Sequence, residues 1–169
     1  MTAAQPAAPP PAVQSSPRRY GFGGSELGES LDVWRTAAPG RRANGCAGAP
    51  GTTGLTICRG ADVPLGGGYF ARALTYTFAH GRLVRIAFRS SIDAFTFVTA
   101  NLKRHFSLPD RVVHDTVKVP NLGARAHVQM RWRNGRSTIE LSDPGDSPVQ
   151  LRVSLTQDAF AHQMSRQDR

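Results

Sequence analysis

Two stretches of the chain alternate apolar and polar residues on either side of a glycine, the pattern of a β-hairpin with one buried face. In the first, RALTYTFAHGRLVRIAFR, Leu74, Tyr76 and Phe78 must face the same way as Val84, Ile86 and Phe88. Directly opposed residues share a face, so the numbers of opposed residues must add to an even sum. A two-residue His80-Gly81 turn gives an odd sum. A three-residue loop, Ala79-His80-Gly81, satisfies the pattern by pairing Phe78 with Arg82, Tyr76 with Val84 and Leu74 with Ile86, and gives Gly81 the positive φ of a G1 bulge. The second stretch, HVQMRWRNGRSTIELS, needs the opposite parity, because Val128, Met130 and Trp132 must share a face with Ile139 and Leu141. A type I′ turn at Asn134-Gly135 supplies it, pairing Met130 with Ile139 and Val128 with Leu141.

Helical spacing is found in two places. Ser30 can cap a short helix running to about Ala38, with Leu27, Leu31 and Trp34 on one stripe and Pro39-Gly40 ending it. A second helix starts after Ser91, buries Ile92, Phe95, Val98, Leu102 and Phe106, and stops at Leu108-Pro109. Val112 to Val119 reads as a further strand, and Leu151, Val153 and Leu155 mark a last one. This order predicts an α+β fold: an antiparallel sheet of two hairpins plus one or two further strands, with two helices packed on one face. Residues 1–19 form a Pro/Ala-rich arm with too little apolar bulk to offset the entropy of ordering, so disorder is expected there. Residues 20–157 make one domain with a local disulfide loop, and 158–169 a polar tail expected to fray.

Composition narrows the function classes. No apolar run approaches the ~20 residues of a membrane-spanning helix. The net charge of +9 resembles a nucleic-acid signal, but Lys103 and Lys118 are the only lysines and the arginines are spread along the chain without like-charge blocks. Specific nucleic-acid binding is therefore not expected, while attraction to anionic partners is. Cys46 and Cys58 lie in a Gly-rich stretch, NGCAGAPGTTGLTICRG, with no helical or strand period to fix their separation. An intramolecular disulfide is expected, since zinc would need more ligands and a redox site would prefer C-x-x-C. A disulfide implies an oxidising compartment, so the chain reads as periplasmic or secreted. No signal peptide is visible at the start, although Pro/Ala-rich segments commonly follow a cleavage point; a cytoplasmic protein with a loose tail is the alternative.

Motifs for chemistry are sparse. Gly51-Thr52-Thr53-Gly54 lacks the Lys-Ser/Thr of a phosphate loop, GFGGSELG does not follow a strand, and no G-x-S-x-G elbow occurs. No catalytic residue, cofactor or metal site is assigned. His114 and His127 are expected on outward strand faces, and Asp115 on the face of Val113 and Val117. The feature that does stand out is the sheet face opposite the helices, where strand parity places Arg85, Arg89, Lys118, Arg131, Arg133 and Arg152, with Glu140 as the main acidic counterweight. The aromatics Tyr76, Phe78, Phe88 and Trp132 all fall on the inner face, so the basic face offers phosphate or carboxylate contact without base stacking.

The succession F-G-G-x-x-L-G, then Cys…Cys, then Y-x-F-x-x-G-R-L and a helix ending before Pro109, resembles small exported proteobacterial domains. More loosely it is similar to β-lactamase-inhibitor proteins and small outer-membrane-assembly lipoproteins, which combine short helices with antiparallel hairpins. The resemblance implies export and an α+β architecture and carries over no inhibitory residue or lipid-modified cysteine. The expected function is a non-enzymatic envelope domain that binds an anionic envelope component or an acidic protein. The alternative is a small hydrolase-like enzyme whose pocket would join two or more of His105, His114, Asp115 and His127.

Overall fold

Alternating residues do form strands, and far more of the chain joins them than the two hairpins. The computed structural model describes residues 20–36, 45–49, 54–119, 123–143 and 150–167, so the arm expected over 1–19 lies outside them. In chain order the elements are β1 (Gly21–Phe22), β2 (Ser25–Glu26), α1 (Leu31–Thr36), β3 (Cys46–Gly48), β4 (Leu55–Arg59), β5 (Val63–Gly66), β6 (Tyr69–Ala79) and β7 (Arg82–Ser91). A 3₁₀ turn (Ile92–Ala94) leads into α2 (Phe95–Phe106), followed by β8 (Arg111–Val119), β9 (Gly123–Arg133), β10 (Ser137–Ser142), β11 (Gln150–Gln157) and α3 (Asp158–Gln167). β1 and β2 pair with each other, and the other nine strands form one antiparallel sheet in the order β3-β4-β6-β7-β11-β10-β9-β8, with β5 paired to the start of β6.

This overturns the α+β expectation of a small sheet with two helices packed on one face. The fold is mostly sheet, and its helices have 6, 12 and 10 residues. Part of the difference lies in the Gly-rich cysteine stretch. Instead of a loop it forms the pair β3–β4, in which Cys46 and Cys58 are directly opposed and joined by a disulfide. Glycine weakens a strand but does not forbid one, and here the covalent bond spans the pair at the sheet's end. The end of the chain, expected as a polar tail, carries α3, and its Phe160 is buried. No helix among the described residues is long and apolar enough to cross a membrane.

Both hairpins keep the expected face parity but not the expected register. In the first, Ala79 opposes Arg82, so His80-Gly81 is the two-residue turn after all, with φ of 47° and 73° as a type I′ turn requires. The odd sum at the turn is corrected by a bulge: the register shifts between Thr77 and Phe78, and from there Tyr76 faces Ile86 rather than Val84. Leu83 and Val84 are consequently both buried. In the second hairpin Met130 faces Leu141 and Trp132 faces Ile139, two positions beyond the expected pairing. Gly135, at φ 80°, is the first central residue of the turn, Asn134 N–H donates to Ser137 O, and the Asn134 side chain accepts from Ser137 N–H.

The inner face is a single apolar layer. One rung runs Cys58–Tyr76–Ile86–Leu155–Ile139–Trp132 across six strands, and the next carries Phe88–Val153–Leu141–Met130. Against it pack Trp34 of α1, 5.1 Å from the Tyr76 ring, and Val98, Leu102 and Phe106 of α2. Ser91 starts the 3₁₀ turn by accepting from Asp93 N–H, and Trp132 Nε1 donates to Ser107 O just beyond α2. These contacts hold the helix to the strand it covers.

Candidate functional site on the outer sheet face

The outward residues line up in three parallel rungs. The first is Arg72–Arg89–Arg152–Ser142–Gln129, the second Arg59–Thr75–Ala87–Ser154–Glu140–Arg131–Arg111, and the third Thr77–Arg85–Thr156–Thr138–Arg133. Small residues of the second rung, Thr75, Ala87 and Ser154, form the floor of a trough of about 510 Å³ walled by Arg85 on one side and Arg89 and Arg152 on the other. A second depression of about 270 Å³ continues from Arg89 to Arg72, Ser90 and Gln150. Without bulky side chains on its floor, the trough lets a ligand reach the hydroxyls as well as the guanidinium groups.

The arginines divide into two sets. Arg131 donates from Nε (3.0 Å) and Nη2 (2.6 Å) to one oxygen of Glu140, and Arg133 Nη2 lies 3.1 Å from Asp158 Oδ2. These two are tied to local carboxylates. Burial pushes Asp158 upward, but hydrogen bonds from Thr138 and Arg133 and the charges of Arg133 and His162 outweigh it and hold the carboxyl below its ordinary value. At the other end of the face stand Arg72, Arg85, Arg89 and Arg152. Among the described residues the carboxylate lining their trough is Glu140, which Arg131 engages; Arg152 has a polar interaction of its own, and Asp62 approaches Arg72 to 4.0 Å between two exposed side chains.

Of the six basic residues expected on this face, Arg85, Arg89, Arg131, Arg133 and Arg152 are there. Lys118 is not: Arg111 opposes Arg131, so odd-numbered β8 residues face outward and Lys118 turns to the inner side with Val112 and His114. The same register turns His114 inward, the reverse of its expectation, while Asp115 shares the face of Val113 and Val117 as expected, and that face is the outer one. Arg72, Arg59 and Arg111 were missed. Parity with buried Leu74 would turn Arg72 inward, but a register shift between Arg72 and Thr75, with Ala73 at φ 50°, rotates it out. No pattern in the sequence announces that shift.

Of the histidines and acids considered for catalysis, Asp115 and His127 are directly opposed on β8 and β9, and His127 Nδ1 lies 3.0 Å from Asp143 Oδ1; His114 is on the other face of β8 and His105 sits on α2. Among the described residues no group of three His, Cys, Asp or Glu side chains could hold a metal ion. Comparison with protein-family models, curated proteins and solved structures finds no match to this chain.

Proposed function

We propose that the protein is a non-enzymatic exported domain that docks through the outer face of its sheet onto an anionic envelope component. The observation that carries this reading is the Arg72–Arg89–Arg152 rung: three arginines stand directly opposite one another on neighbouring strands, beside Arg85 and a hydroxyl-lined floor. Like charges opposed across a sheet repel. An arrangement that lowers stability in the isolated protein gains a purpose if an anion fills the space between the charges, since guanidinium forks bind phosphate and carboxylate groups bidentately. Tyr76, Phe78, Phe88 and Trp132 are all buried and offer no ring for base stacking, which favours phosphate or carboxylate contact at the trough. The disulfide supports export, because a reducing cytosol would leave these thiols unpaired.

The test is cosedimentation with vesicles containing an anionic phospholipid, and retention on heparin, for the full chain and for Arg85→Ser, Arg89→Ser, Arg152→Ser combined. The triple variant should lose binding while remaining folded, and wild-type binding should fall steeply with salt as exposed charges are screened over about 8 Å at physiological ionic strength. Equal binding by the triple variant would place the contact elsewhere. Salt-independent binding would refute the electrostatic reading.

A further inference from the structure

Between α2, β1 and the end of β5 a cleft of about 450 Å³ opens, lined by half-buried Phe22, Leu65, Phe97, Leu102 and Phe106, with Phe88, Val153 and Leu155 buried beneath them. Its walls are braced by aromatic pairs: Phe22 stacks on Phe88 at 4.4 Å, Phe106 meets Tyr20 edge-on at 4.8 Å, and Phe97 leans on Tyr69 at 5.7 Å. Behind Phe97 run Gly66 and Gly67, where a Cβ would come within 3.1 and 3.4 Å of the ring. Phe97 and Phe106 are thus held by rings outside the cleft, and Phe22 by Phe88 within it. A gap of this kind forfeits dispersion contacts along its lining, and braced apolar clefts of a few hundred Å³ with a few polar groups are the general form of small-ligand sites.

The polar groups are confined to one flank. Asn101 and His105 line the cleft and follow Phe97 at successive four-residue steps along α2. Exposed Arg104 is the neighbour of Asn101 on the helix surface at the i+3 position. Among the described residues no carboxylate lines the cleft, so an apolar trench meets a lip of neutral and basic groups. From this complementarity we infer that the cleft binds a long-chain fatty carboxylate, its acyl chain along Leu65, Phe97, Leu102 and Phe106 and its head group at Arg104 and His105. The site lies on the face of the sheet opposite the basic trough and is independent of it. Cations in the last turn of a helix also complement its macrodipole, so the experiment has to separate that role from ligand contact.

The experiment is a fluorescence titration of the full chain with cis-parinaric acid, a fluorescent long-chain polyene acid, and with its methyl ester. Saturable one-to-one binding of the acid is expected. Asn101→Trp, which fills the cleft from a half-buried helix position, should weaken it by at least about tenfold, a factor equivalent to about 1.4 kcal/mol, with an unchanged thermal melt. Arg104→Glu with His105→Glu, both at exposed positions, should weaken the acid by a similar factor and leave the ester unaffected, a difference that a helix-stability role would not produce. The combined Arg85, Arg89 and Arg152 replacement should retain full acid binding. The inference is overturned by absence of saturable binding, by binding that survives Asn101→Trp in a folded protein, by equal losses for acid and ester at the lip, or by loss of acid binding in the outer-face variant.

Discussion

Replacing Arg89 by Thr should make the protein more stable alone and less able to be stabilised by a polyanion. Arg89 has Arg72 opposite it on β6 and Arg152 opposite it on β11. Opposed Cα atoms in an antiparallel ladder lie about 4.5–5.5 Å apart, and like charges so placed destabilise by roughly 0.2–1 kcal/mol per pair. Two such pairs are relieved at once. Against this, the exposed hydrogen bond from Arg89 Nη1 to Gln150 Oε1, at 3.3 Å, is lost. An ordinary intramolecular hydrogen bond contributes about 0.5–1.5 kcal/mol, and a long, exposed one stands at the lower end. The balance is a gain of about 0.5 kcal/mol, or a melting temperature higher by about 1–2 °C for a chain of this size. Circular-dichroism melts at low salt measure it, and repetition in 1 M salt, where the Debye length is about 3 Å, should abolish the gain. Saturating heparin should reverse the order, because a ligand that binds only the folded state raises its stability by RT ln(1 + [L]/Kd) and the wild type binds more tightly. Destabilisation at both salt concentrations would mean that Arg89 holds β7 to β11 through its packing. A gain that persists in 1 M salt would assign the effect to the strand preference of Thr, not to charge.

Two further outcomes concern other parts of the molecule. Removing the Cys46–Cys58 bridge as the double Ser variant should lower stability by up to about 3 kcal/mol by the chain-entropy model for its 12-residue separation, read as a shift in urea midpoint; an unchanged midpoint would show that β3–β4 holds without it. Asp158, whose carboxyl is held below its ordinary value, contributes stability that is full above about pH 4 and is lost as pH falls through its lowered folded-state value. Acid titration of the melting temperature should therefore be shallower for Asp158→Asn than for the wild type, and parallel curves would remove Asp158 from the linkage.

Face parity was legible in the sequence because burial enforces it: Leu74, Tyr76, Phe78, Ile86 and Phe88 are all on the inner side and buried. Register was not, because a bulge changes the count without changing the apolar pattern on either side of it. The buried pair Leu83 and Val84 was the available trace, two successive apolar residues in an otherwise strict alternation. Five of the six basic residues assigned to the outer face followed from parity alone. Arg72 escaped for the same reason that the register did, since Ala73 occupies a left-handed conformation that no glycine marks. The apolar cleft left a fainter signal still: Phe97 lies off the Ile92–Phe95–Val98–Leu102–Phe106 stripe, and only the Gly66–Gly67 turn it rests on explains why it is not simply solvated.

Neighbour order is the property that alternation carries least. β11, the last strand, inserts between β7 and β10 and has Leu151, Val153 and Leu155 buried at the centre of the sheet. Local pattern marks it as a strand with one buried face but is the same for an edge strand as for a central one. What distinguishes it is the demand of its neighbours: the inner row of β7 and that of β10 remain uncovered at their shared boundary until β11 supplies the rung from Ile86 through Leu155 to Ile139. The same insertion assembles the outer face, because Arg152 comes to stand opposite Arg89, and Ser154 floors the trough beside Ala87, through that one pairing. The basic site therefore comes into being with the closing of the sheet. Its charge could be counted from the sequence, while the rung that gives the charge its geometry depends on a contact between residues some sixty positions apart, which short-range periodicity does not encode.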